Sequence, residues 1–150
     1  MTPADGPTFR PADEAARDAL GDLLAANDLP HAGLDASPGS FVAGYDGGDI
    51  VCGGGVELYD SAALLRSVVV ADAHRSRGYG AALTERLEAV AADAGATDSY
   101  LLTTTAADFF GSRGYEEVPR EAVPDGVLAA PLVAEHCPAS ATCMAKSRGE

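Results

Sequence analysis

Residues 68–80, which read VVVADAHRSRGYG, are the stretch that decides the fold. Three consecutive valines give the strongest β-strand signal in the chain, and they run into a turn of the form Arg-x-x-Gly-x-Gly that opens a helix. Backbone N–H groups at a helix N-terminus attract anions, and glycines let a ligand approach the backbone closely. Arg75 and Arg77 add positive charge here, in a chain whose net charge is −13. The stretch therefore predicts an anion-binding turn.

Two common phosphate-binding loops are excluded by the residues that follow this turn. A P-loop needs Lys and then Ser or Thr after its last glycine, but Ala81 and Ala82 follow Gly80. The dinucleotide fingerprint needs a third glycine, and Leu83 stands in its place. The turn must therefore hold its anion in another way.

The patterns on either side of the turn predict an α+β fold. The continuous apolar run at 64–71 is typical of a central strand that is buried on both faces. Further strands are predicted at 8–11, 41–45, 50–58, 99–104, 115–118 and 141–146, and helices at 12–27, between Gly80 and Gly95, and between Thr105 and Gly114. This order predicts a mixed, mostly antiparallel sheet with one central βαβ unit, in a single domain over 1–150 with a frayed segment at 1–7.

The charge balance argues against several classes of protein. The chain has 23 Asp and Glu residues against 10 Lys and Arg residues, so it lacks the basic face that nucleic acids and anionic membranes require. No run of 18 apolar residues and no signal-like start are found, and we expect a cytoplasmic protein. Because the acidic residues are spread along the chain and Lys146 is the only lysine, the composition also predicts adaptation to high salt.

The turn closely resembles motif A of the GNAT superfamily of acyl-CoA-dependent N-acyltransferases, which reads Arg/Gln-x-x-Gly-x-Gly/Ala after a strand. The stretch ADFFGSRGY at 107–115 is similar to a second family landmark, Ala-x-x-Phe-Tyr-x-x-x-Gly-Phe. Order and spacing agree over roughly residues 40–118. The resemblance implies the GNAT fold, acetyl-CoA as co-substrate, no metal, a small-molecule amine acceptor and, since dimers are common in this fold, a possible homodimer.

The resemblance also implies which residues hold CoA. The pyrophosphate is expected to lie against the residues of the turn itself, which are Arg75, Ser76, Arg77, Gly78, Tyr79 and Gly80. Val68 and Val70, in the preceding strand, are expected to give backbone hydrogen bonds to the pantetheine arm. The N–H group of Val70 is then expected to polarise the thioester carbonyl.

A finer resemblance is to the arsenic-resistance N-acetyltransferase branch of this superfamily. It rests on GVELY at 55–59, LLRSVVV at 64–70, LLTTT at 101–105 and CPASATCM at 137–144. This resemblance implies a role in arsenic detoxification more strongly than it implies the identity of the substrate. An amino-acid-like arsenical, or a related phosphinic amino acid, is the acceptor that fits this branch.

Acyl transfer to an amine needs a neutral amine, a stabilised oxyanion and, in many enzymes, a proton for the leaving thiolate. Phe110 stands where the family has its proton-donating Tyr, so water has to replace that donor or the thiolate leaves unaided; nearby Tyr115 is interpreted as a core residue. Glu57 is the predicted catalytic residue, because it is the only carboxylate within the apolar hairpin. It either takes the proton through a water or binds the ammonium; otherwise it is a solvated surface Glu. His31 is a second candidate base.

Arg66 lies inside an apolar strand, where a charge needs a partner. It is either a clamp on the acceptor's carboxylate or oxyanion, or half of a structural ion pair. Thr103 and Thr104 end the strand after the motif A helix, where the fold separates two parallel strands. Their hydroxyls are predicted to line the acceptor pocket, unless they are ordinary β-formers.

Two other functions stay open from the sequence. The first is a GNAT-fold module that binds CoA without catalysis, as a sensor or partner protein, because Phe110 replaces the usual Tyr. The second is metalloid binding by Cys137 and Cys143, although their spacing matches no standard zinc pattern. Turnover of acetyl-CoA separates catalysis from CoA binding alone, and thiol-dependent metalloid binding isolates the last possibility.

Overall fold

The structure is a computed structural model that describes residues 8–27, 39–71, 78–104, 106–130, 133 and 141–147. Its strands are β1 Thr8–Pro11, β2 Ser40–Asp46, β3 Asp49–Tyr59, β4 Ala62–Val70, β5 Asp98–Thr103, β6 Glu116–Val118 and β7 Thr142–Ser147. Its helices are α1 Glu14–Ala26, α2 Tyr79–Asp93, α3 Ala107–Ser112 and α4 Asp125–Leu128, with a 3₁₀ turn at Arg120–Ala122. The seven strands and the helices α1, α2 and α3 follow the predicted order.

The described strands form one seven-stranded sheet in the order β1-β2-β3-β4-β5-β7-β6. Among the described strands, only β4 and β5 pair in parallel, and α2 connects them; the other five pairings of these strands are antiparallel. This confirms the predicted α+β class, with one central βαβ unit in a mostly antiparallel sheet.

The central pair of strands separates along its length. Within the described part of the chain, β4 and β5 pair through three residue pairs, which end at Leu64 and Tyr100. Both strands continue beyond that point, β4 to Val70 and β5 to Thr103. The sheet therefore opens into a cleft between the second half of β4 and the end of β5.

A β-bulge lies in β4 beside this opening. Gly53 pairs with Val69 while Gly55 pairs with Arg66, so two residues of β4 oppose the single residue between the glycines. The first of the two, Ser67, has a φ of 59°, in the left-handed region that L-residues seldom adopt. The bulge redirects the backbone of β4 where the strand leaves β5.

The glycines of β3 let helices approach both faces of the sheet. A Cβ at Gly53 would lie 2.7 Å from Leu20 Cδ1 of α1, and a Cβ at Gly54 would lie 2.9 Å from Leu87 Cδ1 of α2. Neighbouring residues of a strand point to opposite faces, so α1 and α2 cover opposite faces of β3. The glycine run is therefore explained by packing.

The two faces carry separate apolar clusters. The face under α2 and α3 contains Val56, Leu65, Leu83, Leu87, Leu101, Phe110 and Tyr115. The other face has one cluster under α1, formed by Leu20, Leu24, Phe41 and Val69. It has a second cluster under α4, which includes Leu64, Val123, Val127 and Cys143.

Candidate active site

Glu57 and Arg66 form a buried ion pair on the face that α1 and α4 cover. Gly55 pairs with Arg66 across β3 and β4, and Glu57 lies two residues beyond Gly55, so both charged side chains point to the same face. Arg66 Nη1 lies 2.9 Å from Glu57 Oε2, and the two residues are only 5% and 1% exposed. The interpretation of Glu57 as a solvated surface residue is therefore wrong. The charge on Arg66 has the partner that its position requires.

A tyrosine and a serine form hydrogen bonds with this pair. The Tyr59 hydroxyl donates a hydrogen bond of 2.6 Å to Glu57 Oε1, and Arg66 Nε donates one of 3.1 Å to Ser67 Oγ. The third nitrogen, Arg66 Nη2, is buried and has no hydrogen-bond partner among the described residues. A buried donor without an acceptor costs about 1–3 kcal/mol, so this nitrogen is suited to an anionic ligand.

An aromatic ring supports the guanidinium. Phe41 pairs with Gly55 across β2 and β3, and a Cβ at Gly55 would overlap the Phe41 ring. Arg66 Cζ lies 5.5 Å from the centre of that ring, and Arg17 Cζ from α1 lies 4.4 Å from it. Glycine at position 55 thus makes room for a ring that attracts the positive charge of Arg66.

Part of the predicted CoA site falls outside the described residues, namely Arg75, Ser76 and Arg77. The described part begins with Gly78, the N-cap residue of α2, which has a φ of 82°. No side chain caps this helix end among the described residues, and its first turn holds no acidic residue. The first N–H groups of a helix lack partners inside the helix, so this end of α2 is suited to an anion.

Tyr79 and Gly80 have different structural roles at the start of α2. The Tyr79 ring is buried, and its hydroxyl donates to Asp46 Oδ2 at 3.2 Å in the β2–β3 hairpin. Its phenol therefore lies against the hairpin, and its backbone lies at the start of α2. A Cβ at Gly80 would lie 3.2 Å from Phe109 Cζ and 3.8 Å from Val70 Cγ2, so this glycine lets α2, α3 and β4 approach one another.

The backbone of Val70 faces the cleft. Ala71 N donates to Val51 O at 2.8 Å, so the backbone of Ala71 faces β3. Backbone groups alternate in direction along a strand, and those of Val70 therefore point to the opposite edge of β4. Val68 belongs to the bulge, and both valines are half-buried. The backbone role predicted for Val70 stays a prediction.

Position 110 offers no proton donor. Phe110 is buried, and its ring centre lies 5.0 Å from that of Phe109 and 5.8 Å from that of Tyr115, both edge to face. Tyr115 is 3% exposed, and burial raises the pKa of its phenol well above the usual value, with Glu88 adding to the shift. The interpretation of Tyr115 as a core residue is confirmed.

Thr103 and Thr104 lie at the end of β5, past its last pairing with β4. Thr103 Oγ1 accepts a hydrogen bond of 2.9 Å from Ala106 N, just before α3, and Thr104 is exposed. Both are at the edge of the cleft, and their contact with an acceptor stays a prediction. The alternative base His31 lies outside the described residues.

The cysteines that the structure describes do not form a cluster. Cys52 and Cys143 are free, buried and in different apolar clusters, and burial raises the pKa of the Cys52 thiol to about 11. Cys137 lies outside the described residues. Where the chain is described, no three His, Cys, Asp or Glu residues are grouped to hold a metal, and no helix is long and apolar enough to cross a membrane.

Sequence reasoning missed the hydrogen bonds that Tyr59 makes to Glu57 and that Ser67 makes to Arg66. The signal for Tyr59 was present, because residues two apart on a strand share a face and Tyr59 follows Glu57 at that spacing. No such signal exists for Ser67. Its contact with Arg66 depends on a bulge that the sequence pattern does not reveal.

Comparison with known proteins agrees with this geometry. Residues 37–117 match the model of the acetyltransferase (GNAT) domain. The uncharacterized N-acetyltransferase CT2212 of Chlorobaculum tepidum is 33% identical over 87 residues, which cover 58% of this chain and 56% of that protein. The chain thus matches little more than half the length of that curated relative.

Solved structures share the fold at low sequence identity. Rv2747 from Mycobacterium tuberculosis, solved in complex with CoA, has a TM-score of 0.78 and 21% identity, over 94% of this chain and 99% of that one. N-acetylglutamate synthase from Neisseria gonorrhoeae, complexed with coenzyme A and N-acetyl-glutamate, has a TM-score of 0.77 and 12% identity, over 95% of this chain and 35% of that one. The TM-scores show that the chain has the fold of these structures. Because the family model covers more than half of the chain, the chain belongs to the GNAT family of acetyltransferases.

Proposed function

We propose that the chain transfers the acetyl group of acetyl-CoA to the amine of a small acceptor that also carries an anionic group. The observation that carries the proposal is the buried Glu57–Arg66 pair beside the cleft, with Arg66 Nη2 left without a partner among the described residues. A buried carboxylate and a buried, directed guanidinium donor match the ammonium and the anion of a zwitterionic amine.

The CoA half of the proposed site lies at the start of α2. We assign the pyrophosphate to the backbone of the motif A turn, with Arg75, Ser76 and Arg77 as further contacts. The described part fits such a group, because a Cβ at Gly78 would meet nothing within 4 Å and the first turn of α2 carries no acidic residue. The pantetheine arm is assigned to the backbone of Val68 and Val70, and the Val70 N–H to the thioester carbonyl.

The proposed reaction is a direct displacement. The acceptor nitrogen attacks the carbonyl carbon, the C–S bond breaks, and the CoA thiolate leaves without a covalent enzyme intermediate. Glu57 receives the proton that the nitrogen loses, since a carboxylate can accept about four hydrogen bonds and can keep those from Tyr59 and Arg66 meanwhile. A phenylalanine at position 110 cannot protonate the thiolate, so solvent water supplies that proton.

The acceptor that we propose is an amino acid bearing an arsenical or phosphinic acid group, in a setting of arsenic resistance. The resemblance of 55–59 and 64–70 to the arsenic-resistance branch supports it, since these two stretches contain Glu57, Tyr59 and Arg66. The structural similarity to a synthase complexed with N-acetyl-glutamate, an acetylated amino acid, is consistent with an acceptor of this class. Thr103 and Thr104 would lie beside the acceptor at the end of β5.

The test is a CoA-release assay in high salt. Four acceptors are compared: a 2-amino acid ending in an arsinic acid, its phosphinic counterpart, spermidine and lysine methyl ester. We expect turnover with the two zwitterions and at least about tenfold lower kcat/KM for the two amines that lack an anion. Equal or better turnover with spermidine would contradict the anionic acceptor, and no turnover with any amine would contradict catalysis.

One observation favours a second candidate, a CoA-binding module without catalysis: the family's proton donor is replaced by the buried Phe110. This candidate predicts that acetyl-CoA binds, as measured by calorimetry, while no acceptor releases CoA. Turnover with any amine excludes it.

A further inference from the structure

We infer that Tyr59 is a positioning residue for the acceptor, which acts by fixing Glu57 and through it the open nitrogen of Arg66. The inference rests on the proposed function, because the acceptor's anion is assigned to that nitrogen. Tyr59 itself touches neither the acceptor nor acetyl-CoA in this proposal.

The contact between Tyr59 and Glu57 is short and directed. At 2.6 Å, the O–H···O bond to Glu57 Oε1 has the length of a hydrogen bond to an ionised carboxylate. Burial raises the pKa of the Tyr59 phenol well above its usual value, and the hydrogen bond and charge of Glu57 raise it further. The phenol therefore keeps its proton at any working pH and remains a donor to Glu57.

The Tyr59 ring is held by its surroundings. It lies half-buried at the end of β3, on the same face as Glu57, and packs against the apolar cluster beneath α4. A Cβ at Gly126, in α4, would lie 3.2 Å from Tyr59 Cβ, so the helix backbone passes close over the base of this side chain. The ring is therefore a fixed support from which the hydroxyl reaches Glu57.

The fixed carboxylate in turn orients the guanidinium. Glu57 Oε2 accepts from Arg66 Nη1 at 2.9 Å, and Ser67 Oγ accepts from Nε at 3.1 Å. Because the guanidinium is planar, these two contacts set the direction of Nη2. Without the Tyr59 hydroxyl, the carboxylate loses one of its anchors, and both Glu57 and Arg66 gain freedom to rotate.

The test uses Tyr59→Phe, which keeps the ring and removes the hydroxyl. The control is Tyr45→Phe in β2, where a half-buried tyrosine packs against Arg10 instead. With the phosphinic amino acid as acceptor, Tyr59→Phe should leave Arg66 Nη2 no longer directed at the acceptor's anion. We expect the KM of the acceptor to rise about tenfold, the usual scale for the loss of one charge-assisted hydrogen bond, here that between Nη2 and the anion. The KM of acetyl-CoA should stay within about twofold, and Tyr45→Phe should change neither.

A second measurement needs no acceptor. In protein labelled with ¹⁵N-arginine, the Nη–H signals of Arg66, assigned with Arg66→Lys, should be separately resolved because rotation of the guanidinium is slow. Tyr59→Phe should broaden or average them, while Tyr45→Phe should not. If Tyr59→Phe leaves both the acceptor KM and the Arg66 signals unchanged, Tyr59 does not position the site, even where wild-type turnover supports the proposed function. If the wild type acetylates no amine, the proposed function fails. The Arg66 signals then still test the role of Tyr59: broadened or averaged signals in Tyr59→Phe show that Tyr59 fixes the guanidinium, and unchanged signals show that it does not.

Discussion

The two halves of the proposed site are built in different ways. The described part of the CoA half consists of backbone: the left-handed Gly78, the N-terminus of α2, which no described side chain caps, and the groups of Val70 that point away from β3. The acceptor half consists of side chains, the buried Glu57–Arg66 pair with the half-buried Tyr59 and Ser67. A site formed by backbone groups can be recognised in the sequence from a short glycine motif. A side-chain site depends on which residues the sheet register brings together, so its members are scattered along the chain.

The largest expected effect is on the acceptor half, from Glu57→Gln. This change leaves the buried charge of Arg66 uncompensated, and removal of one partner of a buried pair costs about 3–5 kcal/mol. We expect a marked loss of stability by denaturant unfolding. Near neutral pH we also expect a lower kcat, with a loss that shrinks as pH rises and more of the acceptor amine is already neutral.

A double variant separates stability from chemistry at this pair. Glu57→Gln with Arg66→Met removes both buried charges, so that neither charge is left buried without its partner. We expect the double variant to recover most of the lost stability, whereas its kcat near neutral pH should stay low. Wild-type kinetics for Glu57→Gln at every pH would mean that Glu57 takes no proton and that water or His31 is the base.

The next effect concerns the CoA half. Gly78→Val forces a side chain into a left-handed backbone at the point where the pyrophosphate is proposed to lie. Loss of two charged hydrogen bonds would weaken acetyl-CoA binding by about 100-fold or more, measured by calorimetry. The matched control is Gly95→Val at the other end of α2, where φ is 98° and a Cβ would also meet nothing within 4 Å. Both variants should lose similar stability, and equal acetyl-CoA affinities in the two would contradict the motif A assignment.

The same contrast explains what the sequence could and could not predict. The strand order, the central βαβ unit and the start of α2 follow from hydrophobic periodicity and glycine turns, which act locally. A structural ion pair was one of two alternatives for Arg66, but its partner was not identified, because the pairing with Glu57 depends on the register between β3 and β4. The part played by Ser67 was not foreseeable, since the bulge arises from the packing of β4 against β3. The helix predicted between Thr105 and Gly114 is described from Ala107 to Ser112, and Thr105 lies outside the described residues.

Arg66→Lys tests whether the acceptor half needs a planar fork or only a positive charge. Lysine keeps the charge beside Glu57 but cannot bond Glu57, Ser67 and a ligand in one plane. We expect the acceptor KM to rise about tenfold with little change for acetyl-CoA. Arg113→Lys, at the exposed pair with Glu85, is the control and should change neither constant. A changed KM for acetyl-CoA alone would place Arg66 in the CoA half instead.

The smallest expected effect is that of salt, which should act on exposed charges and spare the buried pair. The net charge is −13, and screening lengths fall from about 10 Å at 0.1 M to about 3 Å at 1 M. We expect the Tm to rise by a few degrees from 0.1 to 2 M KCl, about 1 kcal/mol of relieved repulsion. The rise should shrink when the exposed Glu116 and Glu117 of β6 are both changed to Gln, whereas a general salting-out effect would persist.

The destabilisation caused by Glu57→Gln should be equal at both salt concentrations, because a buried pair is screened far less. A Tm that does not rise with KCl would contradict adaptation to high salt, and a salt-dependent cost for Glu57→Gln would mean that the acceptor half is open to solvent.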